Sequence, residues 1–240
     1  MSEQANSSKL VNWGGYLALT FLLGLVLSIL SVRGGLWQQG LLLYAVCCLG
    51  AALLLAILLI CTALPGFSPW RRDLLLRCLA VLPGSILFIS ALMTRGDYPV
   101  IHDITTDVMN PPVFTQALVI RDKSANSLDI NQETIQLQIA AYPGVQTRHS
   151  TLDFMQAFKH ATTTAESMGW EITLSDSAAG IIEAVATTSI MAFKDDIVIR
   201  LMRGAENGTV IDLRSASRVG QSDLGANARR IREFMRRYKS

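Results

Sequence analysis

Between Trp13 and Val32 no residue is charged and most are apolar. About 20 such residues, at 1.5 Å rise per residue, cross a bilayer core of about 30 Å. That run restricts the chain more than any other feature does. A second uncharged stretch extends from Gly34 to Trp70, densest in apolar residues from Leu41 to Leu64. A third covers about Leu74 to Met93, with Arg77 in its first turn and Pro83 inside. Arg77 can snorkel to the near interface, and a spanning helix tolerates proline. The sequence predicts three transmembrane helices, at about 13–32, 41–63 and 74–93, within a membrane region of residues 1–96.

Composition supports this division. The chain is 50% hydrophobic and 17% charged, against about 25% charged in ordinary soluble domains. Residues 1–96 carry a net charge of +4, residues 97–213 one of −8 and residues 214–240 one of +6. Such a chain is neither a single-core globular protein, nor disordered, nor a polybasic nucleic-acid binder. Trp13, Trp37 and Trp70 fall at the ends of the apolar runs, where an amphipathic ring suits the headgroup layer. The first run is too long for a signal-peptide core, and Ser31-Val32-Arg33 is no small-x-small cleavage site, so it is expected to stay. Gly24 and Ser28 have the spacing of a helix-association pair.

Basic residues in short loops set orientation. Lys9 in the N-terminal tail and Arg71, Arg72 and Arg77 after the second span lie on one side, opposed by Arg33 and Arg95. The expectation is a multi-pass protein of the cytoplasmic (inner) membrane, with residues 97–240 extracytoplasmic. All four cysteines (Cys47, Cys48, Cys61, Cys78) lie in or beside the spans, so the outer domain carries no disulfide framework, thiol catalyst or cysteine-based metal site.

Residues 97–113 read as an extended linker, since Tyr98-Pro99 and Asn110-Pro111-Pro112 disfavour helix. Residues 118–122 form a possible short strand, and 135–139 a weak one in an otherwise loop-like stretch ending at Ser150. Ser150 and Asp153 resemble a capping box, followed by a helix that places Leu152, Met155, Phe158, Thr162 and Ala165 on one face. Strands are expected at 170–174, 181–189, 197–202 and 209–217. Ser222 is the expected N-cap of a last helix with Ile231, Phe234, Met235 and Tyr238 as its apolar stripe. The fold class is α+β: three transmembrane helices, then a domain with an antiparallel sheet of about four strands covered by helices.

Register can be read further. If Ile197, Ile199 and Leu201 share a core with Ile211 and Leu213, Leu201 stands opposite Ile211 and Arg200 opposite Asp212. A two-residue turn at Asn207-Gly208 would break that phase, so a longer or bulged loop is expected over 205–208.

Three motifs stand out. They are His102-Asp103-Ile104-Thr105-Thr106-Asp107 with Pro111-Pro112; Phe193-Lys194-Asp195-Asp196; and the run through Arg214, Ser215, Ser217, Arg218, Gly220, Ser222, Asp223, Gly225, Asn227, Arg230 and Ile231. Over residues 97–238 the chain resembles the DUF1499 family. The resemblance implies a bacterial or plastid protein whose domain has no assigned activity, and it brings no catalytic residue or cofactor.

The residues themselves allow two readings of the last motif. Arg214, Ser215, Ser217, Arg218, Ser222, Asp223 and Asn227 could bind a phosphate, carboxylate or sulfate near a helix N-terminus. Alternatively, Ser222 or Asp223 caps the helix and the arginines pair with local carboxylates. Asp195 and Asp196 could hold a hard cation with Asp103 or Asp107, or pair with arginines of the motif. His102, His149 and His160 have no zinc-site spacing, and no catalytic elbow, Walker loop or dinucleotide fingerprint occurs. No metal and no cofactor is expected. The basic last helix could touch anionic lipid headgroups or simply be a solvated face.

Two functions follow. The leading one is a non-enzymatic, membrane-anchored domain that binds a partner protein, a lipid or another envelope component. The alternative is an envelope hydrolase or metal-dependent enzyme using Asp195, Asp196, Arg218 and perhaps His102.

Overall fold

A computed structural model describes residues 2–93 and 96–238, with side chains from residue 8 onward. Arg95 and Lys239, both counted in the charge balance above, lie outside the described residues. The chain divides into two compact units, Met1–Arg95 and Gly96–Ser240.

The first unit has three helices, α1 (Ser2–Arg33), α2 (Trp37–Ala63) and α3 (Arg71–Met93), with a short 3₁₀ turn over Pro65–Trp70 before α3. All three are long and apolar enough to cross a membrane. Each begins several residues earlier than the apolar runs alone indicate, because helix continues through polar ends such as Gln38-Gln39 and Arg71-Arg72-Asp73. The bundle is inside-out relative to a soluble one. Small and medium side chains (Val11, Ala18, Ala51, Leu54, Cys78, Val81) fill its interior, while Leu23, Leu30, Leu42, Leu53, Ile60 and Ile86 face outward. Small residues allow backbones to approach closely. A Cβ on Gly40 would lie 2.8 Å from Ser28 O and Val32 N, and one on Gly84 2.8 Å from Ala51 Cβ. Gly24 faces Cys47 and Ser28 is fully buried, so the Gly24–Ser28 pair serves the contact of α1 with α2 inside this bundle.

The second unit is an antiparallel sheet of six strands: β1 (Asp103–Thr105), β2 (Arg148–Ser150), β3 (Glu171–Asp176), β4 (Ile181–Thr187), β5 (Lys194–Arg203) and β6 (Thr209–Ser217). The order is β1-β6-β5-β4-β3, and β2 pairs with β6 as well. β1 takes the 214–216 end of β6 and β2 the 209–211 end. On one face, α6 (Phe154–Ser167) and α7 (Ala226–Arg237) bury Phe158, Ala161, Ile231 and Phe234 against Ile182, Ile197, Ile199, Ile211 and Leu213. On the other, Phe114 and Ala117 cover Val198 and Ala216.

The expected register holds. Leu201 pairs with Ile211 and Arg200 with Asp212, and the Arg200–Asp212 ion pair measures 2.9 Å. The strands are joined through residues 204–208, which contain a single turn at Ala205–Asn207.

The α+β class and the antiparallel sheet stand as expected, and the six strands include β1 and β2, which are too short to show alternation. Five expectations are corrected. Residues 97–113 are extended but do not form a free linker: Ile101 and Ile104 are buried in the core, and β1 pairs with β6. The 118–122 strand is instead the one-turn helix α4 (Gln116–Ile120), and the 135–139 strand lies within helix α5 (Gln132–Ala141), capped by Asn131 accepting from Thr134 N at 2.8 Å. Gln138 of α5 is buried and pairs both ways with the backbone of Thr105, accepting from its N–H at 2.9 Å and donating to its carbonyl at 2.7 Å. It thereby closes the open edge of β1.

The fourth correction concerns α6. It is capped by Asp153, not Ser150, through bonds of 3.0 Å from Met155 N and Gln156 N, and Met155 faces outward while Phe154, Ala157 and Ala161 face inward. The fifth concerns α7, whose N-cap is Gly225 in the left-handed region (φ 75°) rather than Ser222. The cap's acceptors come from Asp223, which takes Gly225 N at 2.8 Å and Asn227 N at 2.7 Å. The stripe of α7 stands as expected, with Ile231, Phe234 and Tyr238 buried and Met235 partly so.

Candidate functional site

Side chains alternate across a strand, and this decides where the motif residues go. Asp195 and Asp196 lie inside β5 rather than before it, so they point to opposite faces of the sheet.

On the helix-covered face, Asp195 pairs with Arg230 of α7. Arg230 also donates to Ser215 Oγ at 2.9 Å and to Asn227 Oδ1. Asn227 is fully buried and uses its whole amide. Its oxygen also accepts from Ser215 Oγ at 2.7 Å, and its nitrogen donates to His102 O at 2.9 Å and Ser217 Oγ at 3.0 Å. This network ties β5, β6 and the chain entering β1 to the first turn of α7.

The other face carries more charged pairs. Arg214 holds Asp103 in a fork, Nε to Oδ1 at 3.0 Å and a terminal nitrogen to Oδ2 at 2.7 Å. It also donates to Pro112 O and Leu128 O and lies over the Phe114 ring, 5.0 Å from its centroid. Arg218 holds Asp196 in the same fork geometry, at 3.0 and 2.7 Å, with Arg121 a further 3.5 Å contact. Arg200 bridges Asp107 at 2.8 Å and Asp212 at 2.9 Å. Burial pulls the Arg121 pKa down, against the attraction of Asp196 and with the repulsion of Arg218. Forked arginine–carboxylate pairs are the strong, directional kind, suited to fixing one strand register.

Ser222 and Asp223 belong to neither network. Ser222 donates to Pro99 O at 3.1 Å and accepts from Leu224 N at 3.3 Å, while Asp223 caps α7. The nine candidate residues therefore divide into Asp195, Ser215, Ser217 and Asn227 on one face, Asp196, Arg214 and Arg218 on or beside the other, and Ser222 and Asp223 in the loop between β6 and α7. Asp103 and Asp107 each face an arginine, and His102 contributes its backbone carbonyl. Among the described residues, no group of three or more His, Cys, Asp and Glu side chains is placed to hold a metal ion.

This pattern of pairs lies within a region that matches one family, described as a protein of unknown function (DUF1499), over residues 103–237. The match runs from the first residue of β1 to the last of α7, more than half of the chain. The chain belongs to the DUF1499 family. No curated protein matches it. The three membrane-compatible helices lie outside the DUF1499 region.

Several working residues of the DUF1499 domain escape the motifs. Glu183 is fully buried on β4, and its carboxylate accepts from Thr115 N and Thr115 Oγ1 at 2.6 Å, Gln116 N at 3.0 Å and Ala117 N at 2.8 Å. It is the N-terminal cap of α4, supplied from 66 residues away. A signal was present: Glu183 shares its sheet face with Ile181 and Val185, an apolar setting where a carboxylate needs donors. Asn126, which donates to Ser217 O at 3.0 Å and Gly220 O at 2.8 Å, had none.

At the end of α7, Glu233 bonds Arg236 at 2.7 and 2.8 Å and Arg237 at 2.6 Å. These bonds pull its carboxyl from the ordinary 4.5 down to about 2. A carboxyl with a lowered folded-state pKa stabilises above its unfolded pKa and loses that contribution as pH falls through the folded one, here between about 4.5 and 2. In a carboxyl-carbon NMR titration Glu233 should titrate near pH 2, and Arg236→Gln/Arg237→Gln should return it toward 4.5. An unchanged midpoint would contradict the assignment. The site is exposed, so global stability should hardly change.

Proposed function

We propose that the chain is a multi-pass protein of the bacterial cytoplasmic membrane whose DUF1499 domain, on the extracytoplasmic side, is a non-enzymatic binding module of the cell envelope. One observation carries the binding reading: all nine candidate polar residues are engaged with partners inside the domain. A buried arginine–carboxylate fork supports fixed geometry, and contact with a partner protein, lipid or envelope component then falls to the surface. An enzyme built on Asp195, Asp196 and Arg218 lacks comparable support, because the two carboxylates point away from each other and each already faces an arginine.

Orientation rests on charge. Lys9 precedes the first span, and Arg71, Arg72 and Arg77 cluster between the second and third, against Arg33 between the first two. Three crossings from a cytoplasmic N-terminus leave the domain outside. A periplasm-specific reporter fused after Ser240 is expected to be active and a cytoplasm-specific one silent. The reverse result would overturn the orientation.

A further inference from the structure

Two residues separate Met93, where α3 ends, from Gly96, where the DUF1499 unit begins. Tyr98 follows Met93 by five residues, a length of chain that reaches at most about 18 Å. Tyr98 is therefore tethered within that length of the end of α3, one of the helices long and apolar enough to cross a membrane.

That surface includes the loop before α7. Ser222 Oγ bonds Pro99 O, and Asp223 N bonds Ile101 O at 3.1 Å. A Cβ on Gly225 would lie 3.0 Å from the Tyr98 ring and 3.1 Å from the Arg229 guanidinium, so ring and guanidinium flank one glycine. Leu224, beside it, is 63% exposed and has φ 50°, and Val100 is 67% exposed. Two large apolar side chains are thus presented to solvent near the start of this unit. Arg229 and Arg232 are also exposed. Arg232 lies over the Tyr142 ring, 5.5 Å from its centroid, and the Tyr142 hydroxyl is buried without a hydrogen-bond partner among the described residues. Burial and Asp223 push the Tyr142 phenol above its ordinary pKa against the pull of Arg229. Of the local acids, both oxygens of Asp223 are engaged by backbone N–H groups, and Asp97 is exposed at the edge.

We propose that Val100 and Leu224 enter the headgroup layer while Arg229 and Arg232, with Tyr98 and the Tyr142 hydroxyl, hold the phosphate of an anionic phospholipid. Apolar insertion combined with basic residues is the chemistry of interfacial lipid binding. The proposal rests on the membrane-anchored binding module above and names its ligand.

The test uses the full chain in nanodiscs of phosphatidylcholine, alone or mixed with phosphatidylglycerol. A photo-crosslinking benzoylphenylalanine replaces Val100, or for comparison Met109, which is 91% exposed. Lipid adducts are expected at position 100 and not at 109, with a higher yield in phosphatidylglycerol. Arg229→Gln/Arg232→Gln should lower that yield roughly fivefold per arginine. Leu224→Asn, which keeps a residue tolerant of positive φ, should lower it without disturbing the loop. Equal yields at both positions, adducts to protein instead of lipid, or a yield indifferent to the arginines would each overturn the proposal. So would loss of adducts to excess inorganic phosphate, which would reassign the site to a soluble anion. Alkaline extraction separates the two levels: a chain released from membranes refutes the anchored module, whereas a retained chain without adducts refutes this inference alone.

Discussion

Arg214→Met should cost the DUF1499 domain about 3–5 kcal/mol, a large share of the roughly 5–15 kcal/mol that keeps such a domain folded. The substitution keeps the apolar stem but leaves the buried Asp103 carboxylate without its cation. It also strands the carbonyls of Pro112 and Leu128 and removes the guanidinium from Phe114. Trp170 gives the readout, because it is buried and stacked on Phe234 with 5.6 Å between ring centroids. With Trp13, Trp37 and Trp70 replaced by phenylalanine, its fluorescence reports unfolding of this domain in the detergent-solubilised full chain. The double variant Asp103→Leu/Arg214→Met should recover part of the loss, since the buried charge itself is gone and only the two carbonyls remain unpaired. A single-variant loss below about 1 kcal/mol would mean that the fork is a solvated contact rather than a determinant of register.

The pairing also explains which parts of the molecule were legible in the sequence. Where structure follows from periodicity, the reading was close. Alternation through Ile197–Leu201 and Ile211–Leu213 gave the register and with it the Arg200–Asp212 pair, and the i, i+3, i+4, i+7 stripe placed Ile231, Phe234 and Tyr238 inward. Where a distant side chain decides, local pattern misled. Residues 118–120 are Leu-Val-Ile, good strand formers, yet the Glu183 carboxylate caps the preceding amides and a turn of helix results. Residues 135–139 alternate as a strand would, but Asn131 caps them and Gln138 of the resulting helix takes the place of a strand partner at Thr105.

The candidate site followed the same rule. All nine residues are visible as unusual in the sequence, and strand alternation contains the division of the strand residues between two faces. Adjacent residues of a strand point apart, an argument that counts against His102-Asp103 as a catalytic pair and applies equally to Asp195-Asp196. Apart from Arg200–Asp212, no sequence feature revealed which charges are partners. Arg121 and Asp196 are 75 residues apart, and Arg200 and Asp107 are 93. Such pairs form only once the segment between β1 and α5 has folded across the sheet.

That covering segment is the subject of the second large effect. Glu183→Ala should release it while leaving the helix-covered face intact. The truncation removes four accepted hydrogen bonds at once and leaves the amides of Thr115, Gln116 and Ala117 without partners. Each lost bond to a charged group is worth about 1.5–3 kcal/mol singly. Because the α4 turn can swing out and hydrate, the combined effect should be nearer 3–4 kcal/mol and confined locally. Hydrogen exchange on the full chain should then show fast exchange at 106–128, the part of the chain that buries Phe114, Ala117 and Leu128. Amides of α6, α7 and β4–β6 should stay protected, since their core of Ile182, Ile197, Ile211 and Phe234 lies on the opposite face. Glu183→Gln should fall between the two, as its amide accepts at one oxygen where the carboxylate used both. Arg214→Met, in contrast, should raise exchange across β1 and β6 as well. If Glu183→Ala instead loosened all six strands together, the covering segment would be part of the folding core, and the two faces of the sheet would not be separable in stability.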